Sequence, residues 1–201
     1  MRIEQVISAL LVHLQMTFLG VLLGCIVGIT AASLLKRSAK AAKIIFTIVE
    51  IIQTVPTLAM LTFIMLLFGL NNTTVIVAIF LYSLFPIIRN TYTGLMGVDK
   101  GMIRAGKGCG MTGLQLYTKV ELPIALPVIL SGIRLAIITA LGIATTGVLI
   151  GSGGLGMLIW RGIQTRNTMM ILSGAIPVSC LAMLSDYSFS QLEKRVRKNL
   201  K

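Results

Sequence analysis

Residues 51–88 read IIQTVPTLAMLTFIMLLFGLNNTTVIVAIFLYSLFPII, and this run of 38 residues contains no Asp, Glu, Lys or Arg. A single helix of that length would measure about 57 Å, nearly twice the roughly 30 Å hydrocarbon core of a bilayer. The run must therefore fold back on itself, and Gly69-Leu70-Asn71-Asn72-Thr73-Thr74 supplies a turn. It predicts two membrane-spanning helices joined by a short polar loop.

The composition places most of the chain in lipid. Of its 201 residues, 56% are hydrophobic and 12% are charged, with a mean hydropathy of +0.93, whereas about a quarter of a soluble domain is charged. These values exclude a disulfide-stapled secreted domain, a soluble metalloenzyme and a disordered basic tail. We expect an all-α polytopic membrane protein with one transmembrane domain over residues 1–201. Its five spans are predicted at roughly residues 17–35, 44–69, 74–95, 128–150 and 168–190.

The first long apolar run begins with polar side chains, among them Gln5 and His13. We therefore start the first span at about Thr17 and expect an interfacial helix before it. Gly20, Gly24 and Gly28 then repeat at four-residue spacing on one face. Small residues at that spacing let helices approach closely in lipid, so they predict a packing seam.

The basic residues orient the chain, because Lys and Arg accumulate on the cytoplasmic side of a membrane protein. With the N-terminus outside, fifteen of the eighteen Lys and Arg residues lie inside, and only Arg2, Arg161 and Arg166 lie outside. This predicts an N-terminus outside, a C-terminus inside and a cytoplasmic loop over residues 90–126. The inside set is Lys36, Arg37, Lys40, Lys43, Arg89, Lys100, Arg104, Lys107, Lys119, Arg134, Lys194, Arg195, Arg197, Lys198 and Lys201.

The remaining composition gives no sign of catalysis, metal binding or nucleic-acid binding. The net charge of +12 comes from cations that flank apolar runs, and aromatic residues are only 6% of the chain, which argues against a nucleic-acid surface. Cys25, Cys109 and Cys180 share no metal-ligand spacing. His13, expected at the membrane interface, has no nearby acid or second histidine with which to form a metal site or a catalytic set.

Two glycine-rich motifs imitate nucleotide-binding loops. Residues 101–108 fit GxxxxGK, but Gly108 replaces the Ser or Thr that would reach magnesium, and no strand is predicted before the motif. Residues 151–156 fit GxGxxG, but the preceding run is long enough to span a membrane and the next acid is as far away as Asp186. We interpret the second motif as a flexible turn at the outer end of a helix. A membrane enzyme that uses a dinucleotide there fails on this context.

A polar stripe lies within the second predicted span. Its members Glu50, Gln53, Thr54 and Thr57 recur at helical spacing, which would place all four on one face beside Pro56. Because a carboxylate facing lipid is costly, the stripe should face a bundle interior or a water-filled pathway. Two interpretations stay open: a translocation pathway, or helix-to-helix hydrogen bonds with Glu50 paired to Lys43 or a neighbour. Further pathway candidates on later spans are Tyr82, Asn90, Tyr92 and Thr145.

The cytoplasmic loop carries a more specific pattern. Residues 104–112 read RAGKGCGMT and residues 120–123 read VELP. This resembles the EAA signature of ABC importer permeases, in which Glu-Ala-Ala, three residues, Gly, nine residues and a hydrophobic-x-Leu-Pro ending define the coupling helix. Gly110 takes the place of the central glycine and Pro123 that of the closing proline. The departures are Arg104 for the family's Glu and Gly106 for its second Ala.

The resemblance implies a coupling helix from about residue 101 to 117, within a loop of residues 99–123. Such a helix would dock in a groove of a cytosolic ATPase, and that partner would carry ATP and magnesium; this chain itself needs no cofactor. Small residues in the helix would allow the close approach. The implied coupling residues are Arg104, Ala105, Gly106, Gly108, Gly110, Met111, Thr112 and Pro123.

Other segments are similar to the osmoprotectant branch of these permeases, which carry glycine betaine, carnitine and choline. They include QTVPTL at residues 53–58, RNTYTGL at 89–95 and LPVI at 126–129. This similarity implies the fold of a type I ABC importer permease in the cell membrane, with cytosolic ATPase subunits, an extracytoplasmic solute-binding protein and a second permease, identical or homologous, as partners. Alternatives are an importer permease for an amino acid or a sulfonate, and a secondary transporter or channel, which would more often show an internal repeat.

Overall fold

The computed structural model describes residues 3–199, and helices dominate this range, as the sequence predicts. Arg2 and Lys201, which enter the charge distribution above, lie outside the described residues. A π-helical turn, Tyr117–Glu121, leads into the long helix Leu122–Thr146, and a 3-10 turn, Gly147–Ile150, follows that helix. The helices are α1 (Ile3–Leu35), α2 (Ala39–Thr54), α3 (Thr57–Phe68), α4 (Asn72–Met96), α5 (Lys100–Gly108), α6 (Gly113–Leu116), α7 (Leu122–Thr146), α8 (Leu155–Gln164) and α9 (Thr168–Asn199).

Several helical stretches within residues 3–199 are long and apolar enough to cross a membrane. Four qualify singly: Ile3–Leu35, Asn72–Met96, Gly113–Ile150 and Thr168–Lys198. α2 and α3 qualify together, as one broken span bent by 100°. With that pair counted as one span, the predicted number of five is confirmed. α8, with 10 residues, is about 15 Å long and too short to cross a bilayer.

The core lies where α1, α4 and α7 pack against one another. The predicted glycine seam of α1 is a packing face, and its partner is α4: a Cβ atom on Gly20 would lie 2.4 Å from Cγ2 of Ile79, and one on Gly24 would lie 2.7 Å from Cβ of Ser83. The missing side chains are therefore what lets the two backbones approach this closely. α9 packs on α7 and α8 at the side of the bundle.

α1 is one continuous helix of 33 residues, about 50 Å long. The predicted separate helix before Thr17 is therefore wrong, because the polar front continues directly into the apolar remainder. His13, expected at the membrane interface, has a fully buried side chain. A Cβ atom on Gly154 would lie 3.2 Å from Nδ1 of His13, so this ring packs under the turn before α8.

The second predicted span, residues 44–69, is broken at Val55 and Pro56. Proline lacks an N–H and disfavours a helical conformation in the residue before it, and Val55 accordingly has φ −64° and ψ 129°. Pro56 caps α3, which begins at Thr57. The predicted single polar face is therefore wrong for Thr57, which lies on a different helix from the rest of the stripe.

The GxGxxG-like motif forms the turn between α7 and α8, as predicted. Gly151 and Gly154 have φ values of +76° and +94°, which side chains rarely adopt. The backbone N–H of Gly153 donates to Oδ1 of Asn72 at 2.9 Å and joins the turn to the start of α4. The GxxxxGK-like residues form α5, whose N-cap is Asp99 rather than the end of a strand.

Candidate functional site

The break between α2 and α3 gathers polar groups inside an apolar region. The Val55 carbonyl accepts a hydrogen bond from the hydroxyl of Tyr82, a buried side chain of α4. The Thr57 side chain interacts with the same phenol. Oε1 of Gln53 is buried, and no described residue donates to it. Broken helices with unwound backbone line the substrate sites of many transporters, so this break is a candidate part of a translocation pathway.

An ion pair lies next to the break. Oε1 of Glu50 on α2 accepts a hydrogen bond from Nη1 of Arg89 on α4 at 2.5 Å, and the two side chains stay 47% and 55% exposed. Of the two open interpretations of Glu50, pairing with a neighbour is therefore observed, although the partner is Arg89 and not Lys43. Arg89 lies inside α4, seven residues before Met96, and within the predicted span 74–95, toward the end that the charge distribution assigns to the inner side.

Aromatic side chains flank this ion pair. The guanidinium of Arg89 lies 5.7 Å from the ring centroid of Phe85. Phe46 and Tyr92 meet edge to face with centroids 5.1 Å apart. Phe46 and Tyr92 line an open cleft of about 480 Å³ together with both members of the ion pair. We call this the Glu50–Arg89 cleft; its lining residues are Ala39, Ala42, Lys43, Phe46, Thr47, Glu50, Arg89, Tyr92 and Thr93.

The structure distributes the predicted pathway residues over three places. Gln53, Thr54, Thr57 and Tyr82 surround the helix break, and Glu50 and Tyr92 line the cleft. The other two lie at contacts with α7 and α8. Nδ2 of Asn90 donates to the Pro86 carbonyl at 2.8 Å, and Asn90 packs on Gly132 of α7. The Thr145 hydroxyl donates to its own helix at 2.8 Å, and the Thr145 backbone packs against Gly156 of α8.

The predicted coupling helix is two helices rather than one. Oδ1 of Asp99 accepts from the N–H groups of Gly101 and Met102 at 2.7 and 3.1 Å and begins α5. α5 ends at Gly108, and Gly110 reverses the chain with φ +77°. Thr112 then starts α6 with a capping box that it forms with Gln115. A continuous helix over residues 101–117 fails because glycines and a new N-terminal cap fall in its middle.

The small residues of this loop serve different purposes. Gly106 is buried, and a Cβ atom there would lie 2.7 Å from Cδ1 of Leu116, so it packs α5 on α6. A Cβ atom on Gly108 or Gly110 would meet no described atom within 4 Å. Met111 and Pro123 are partly buried. The exposed surface of the loop, available to a partner, includes Met102, Arg104, Ala105, Lys107, Gly108, Gly110, Thr112 and Leu114.

Two contacts that sequence reasoning missed fix the loop to the end of α1. Lys36 forms an ion pair with Glu121, and the hydroxyls of Ser33 and Tyr117 share a hydrogen bond of 2.7 Å. Glu121 occupies the variable position of the VELP segment and is the only acid between Asp99 and Asp186. A single acid in a basic segment was the available signal, but it did not reveal which of several cations is the partner.

The amino-acid sequence matches a known protein family. The family described as "Binding-protein-dependent transport system inner membrane component" covers residues 20–198. The chain belongs to this family. It is therefore a transmembrane permease, and the resemblance drawn from the cytoplasmic loop and the other short segments is confirmed.

Curated relatives of the permease are similar over most of its length. It is 45% identical over 183 residues to the glycine betaine/carnitine/choline transport system permease protein OpuCD of Bacillus subtilis (strain 168), covering 90% of this chain and 80% of the relative. It is 44% identical to the choline transport system permease protein OpuBD of the same organism, over 90% of this chain and 81% of the relative. It is 43% identical to the carnitine transport permease protein OpuCD of Listeria monocytogenes serotype 1/2a (strain 10403S), over 90% of this chain and 82% of the relative.

A solved structure confirms the fold. The permease superposes on a chain of the MetNI methionine ABC transporter in an inward-facing conformation, with a TM-score of 0.85 and 23% identity over 96% of this chain and 97% of that chain. The expected type I ABC importer permease fold is therefore confirmed.

Proposed function

We propose that this chain is the membrane-spanning subunit of an ATP-driven importer for small quaternary amines, with glycine betaine, carnitine and choline as the cargo. The observation that carries the proposal is the 45% identity, over 90% of the chain, to a permease whose printed name contains these three compounds. The helix break and the adjacent cleft supply polar and aromatic groups suited to such a cargo. Residues 1–201 form one transmembrane permease domain in this proposal.

Energy for transport comes from a separate cytosolic ATPase, which binds ATP and magnesium and docks on the exposed surface of α5 and α6. The permease contributes no catalytic group. Movement of the docked loop reaches the core by two routes: through the π-helical turn into α7, and through Lys36–Glu121 and Ser33–Tyr117 into α1. Because α1 and α7 both pack on α4, movement of either helix can change the width of the pathway near the break between α2 and α3.

Three further partners complete the proposal. An extracytoplasmic solute-binding protein delivers the cargo, a second permease copy or homologue closes the pathway, and membrane lipid surrounds both. The N-terminus faces outward and the C-terminus inward across the cell membrane, so that α5 and α6 meet the cytosol. Nucleic acid has no part in this function.

Uptake into proteoliposomes tests the proposal. The permease, its second subunit, the ATPase and the binding protein are reconstituted, and uptake of radiolabelled betaine, carnitine and choline is measured with and without ATP and binding protein. We expect uptake only with both, and a stoichiometric ATPase in the purified complex. Uptake without any ATPase would instead favour a secondary transporter or channel. Uptake of an amino acid or sulfonate with none of the three amines would overturn the cargo and leave the importer standing.

A further inference from the structure

The Glu50–Arg89 pair joins two helices that belong to candidate membrane spans. Arg89 is seven residues from the end of α4 at Met96, and Glu50 is eleven residues from the start of α2 at Ala39, which puts both charges about 10 to 16 Å from those helix ends. Charges within a membrane-spanning segment are costly when they face lipid. Both side chains are nevertheless about half exposed, so their face must meet water or protein in the working complex.

The pair also shares its cleft with aromatic rings on the same helix faces. Phe46 precedes Glu50 by four residues on α2, and Tyr92 follows Arg89 by three residues on α4, so each ring and its charged neighbour lie on one side of the helix. Ring faces attract quaternary ammonium ions, which cannot donate a hydrogen bond. The cleft volume of about 480 Å³ is within the usual range for small-ligand sites.

We propose that the Glu50–Arg89 cleft is a cargo subsite that distinguishes zwitterionic from cationic quaternary amines. Arg89 receives the carboxylate of betaine or carnitine, while Glu50, with Phe46 and Tyr92, receives the trimethylammonium group. The inference rests on the proposed function, because it assumes amine cargo.

A zwitterionic cargo can bind in this cleft by replacing the contact between the Glu50 and Arg89 side chains. A zwitterion brings one carboxylate and one cation, so it can replace the Glu50–Arg89 contact with two new contacts and leave neither side chain unpaired. Choline brings only the cation and must share Glu50 with Arg89. The cleft is open rather than enclosed, which suits weak binding and fast release along a pathway.

Opposite shifts in cargo preference test the proposal in the reconstituted importer. Arg89→Gln should lower the ratio of betaine to choline uptake by about tenfold, because the carboxylate loses its charged partner. Glu50→Gln should raise the ratio of betaine to choline uptake. In this variant the choline cation meets an unpaired Arg89, whereas the betaine carboxylate can still pair with Arg89. Carnitine should follow betaine in both variants.

The matched control is Arg134→Gln. Arg134 on α7 also pairs with a carboxylate of another helix, Asp186 on α9, at 3.4 Å, so its loss reports the general effect of breaking an interhelical pair. It should change uptake of all three amines by one common factor. Arg89→Lys and Glu50→Asp keep the charges and the fold, and they should shift the ratio in the same directions as the Gln variants by smaller factors.

Equal losses for betaine, carnitine and choline in both Glu50 and Arg89 variants would overturn the subsite and leave the proposed function intact. If the unmodified importer carried none of the three amines, the proposed function would fail first. If the Gln variants did not reach the membrane, the charge-preserving variants would decide: an unchanged ratio in both would also overturn the subsite.

Discussion

Lys36, the residue after the end of α1, forms an ion pair with Glu121, the last residue of the π-helical turn before α7. The two side chains differ in their surroundings, because that of Lys36 is 26% exposed and that of Glu121 only 7%. The pair therefore joins two core helices at the base of the coupling loop, with its negative member buried.

This asymmetry predicts unequal effects of the two single substitutions. Lys36→Met leaves a buried carboxylate without its partner and should lower the free energy of unfolding by about 3 kcal/mol. Glu121→Gln leaves a lysine that can reach water, so it should lower the free energy of unfolding by clearly less than Lys36→Met does. Thermal unfolding of the detergent-purified permease measures both, with the exposed Lys40→Met as a control expected to stay within about 0.5 kcal/mol. Equal destabilisation by the two pair variants would contradict the assigned burial.

The helix break predicts a kinetic effect for Tyr82→Phe. The substitution removes the hydroxyl that donates to the Val55 carbonyl and should cost about 1 kcal/mol of local stability. We expect a lower maximal uptake rate with little change in apparent affinity, because delivery by the binding protein is unaffected. Tyr187→Phe, at an exposed position on α9, is the matched control. A change in affinity alone would place Tyr82 in cargo recognition rather than in the geometry of the break.

The coupling loop predicts a size limit at Gly108. A Cβ atom there meets no described atom within 4 Å, so Gly108→Trp should fold and insert normally. The large ring should nevertheless block the close approach of the ATPase. ATP hydrolysis should then be uncoupled from uptake. Gly108→Ala is the control and should transport normally. Normal coupled transport by the Trp variant would remove Gly108 from the docking surface. Gly110 is less suitable, because its φ of +77° strains any side chain.

Patterns within a single helix were predictable from the sequence, and contacts between distant segments were not. The uncharged run at residues 51–88 and the Gly20 seam depend only on local spacing, so they predicted the span content and a packing face on α1, but not that α4 packs on this face. Pro56 carried the signal for the helix break, but the continuous polar spacing around it favoured one long helix. Partner choice was the least predictable, because Glu50 pairs with Arg89, 39 residues away, and several lysines were nearer in sequence.

The packing of the first turn of α8 on α7 predicts a severe effect for Gly156→Ala. A Cβ atom on Gly156 would lie 2.1 Å from the carbonyl oxygen of Thr145, and backbone atoms cannot move aside as a flexible side chain can. We expect a loss of about 2 kcal/mol or more and a lower yield of folded protein. Gly142→Ala, a position within α7 whose Cβ would meet no described atom within 4 Å, should be neutral or stabilising. Similar melting temperatures for both variants would contradict this packing.

The orientation can be tested with the chain's own cysteines. Cys109 is exposed in the turn after α5, so a chain with Cys25 and Cys180 replaced by Ala reports the loop side of the membrane. Leu70→Cys, in a chain without the native cysteines, reports the opposite end, since Leu70 is exposed in the turn between α3 and α4. With the N-terminus outside, an impermeant maleimide added to intact cells should label Leu70→Cys and leave Cys109 unlabelled, and inside-out vesicles should reverse the result. Leu70 is preferable to Asn71, whose side chain caps α4 by accepting from the N–H of Thr74. Labelling of both positions from the same side would refute the topology. Labelling of Cys109 but not Leu70→Cys in intact cells would show the opposite orientation, in which α5 and α6 could not contact a cytosolic ATPase.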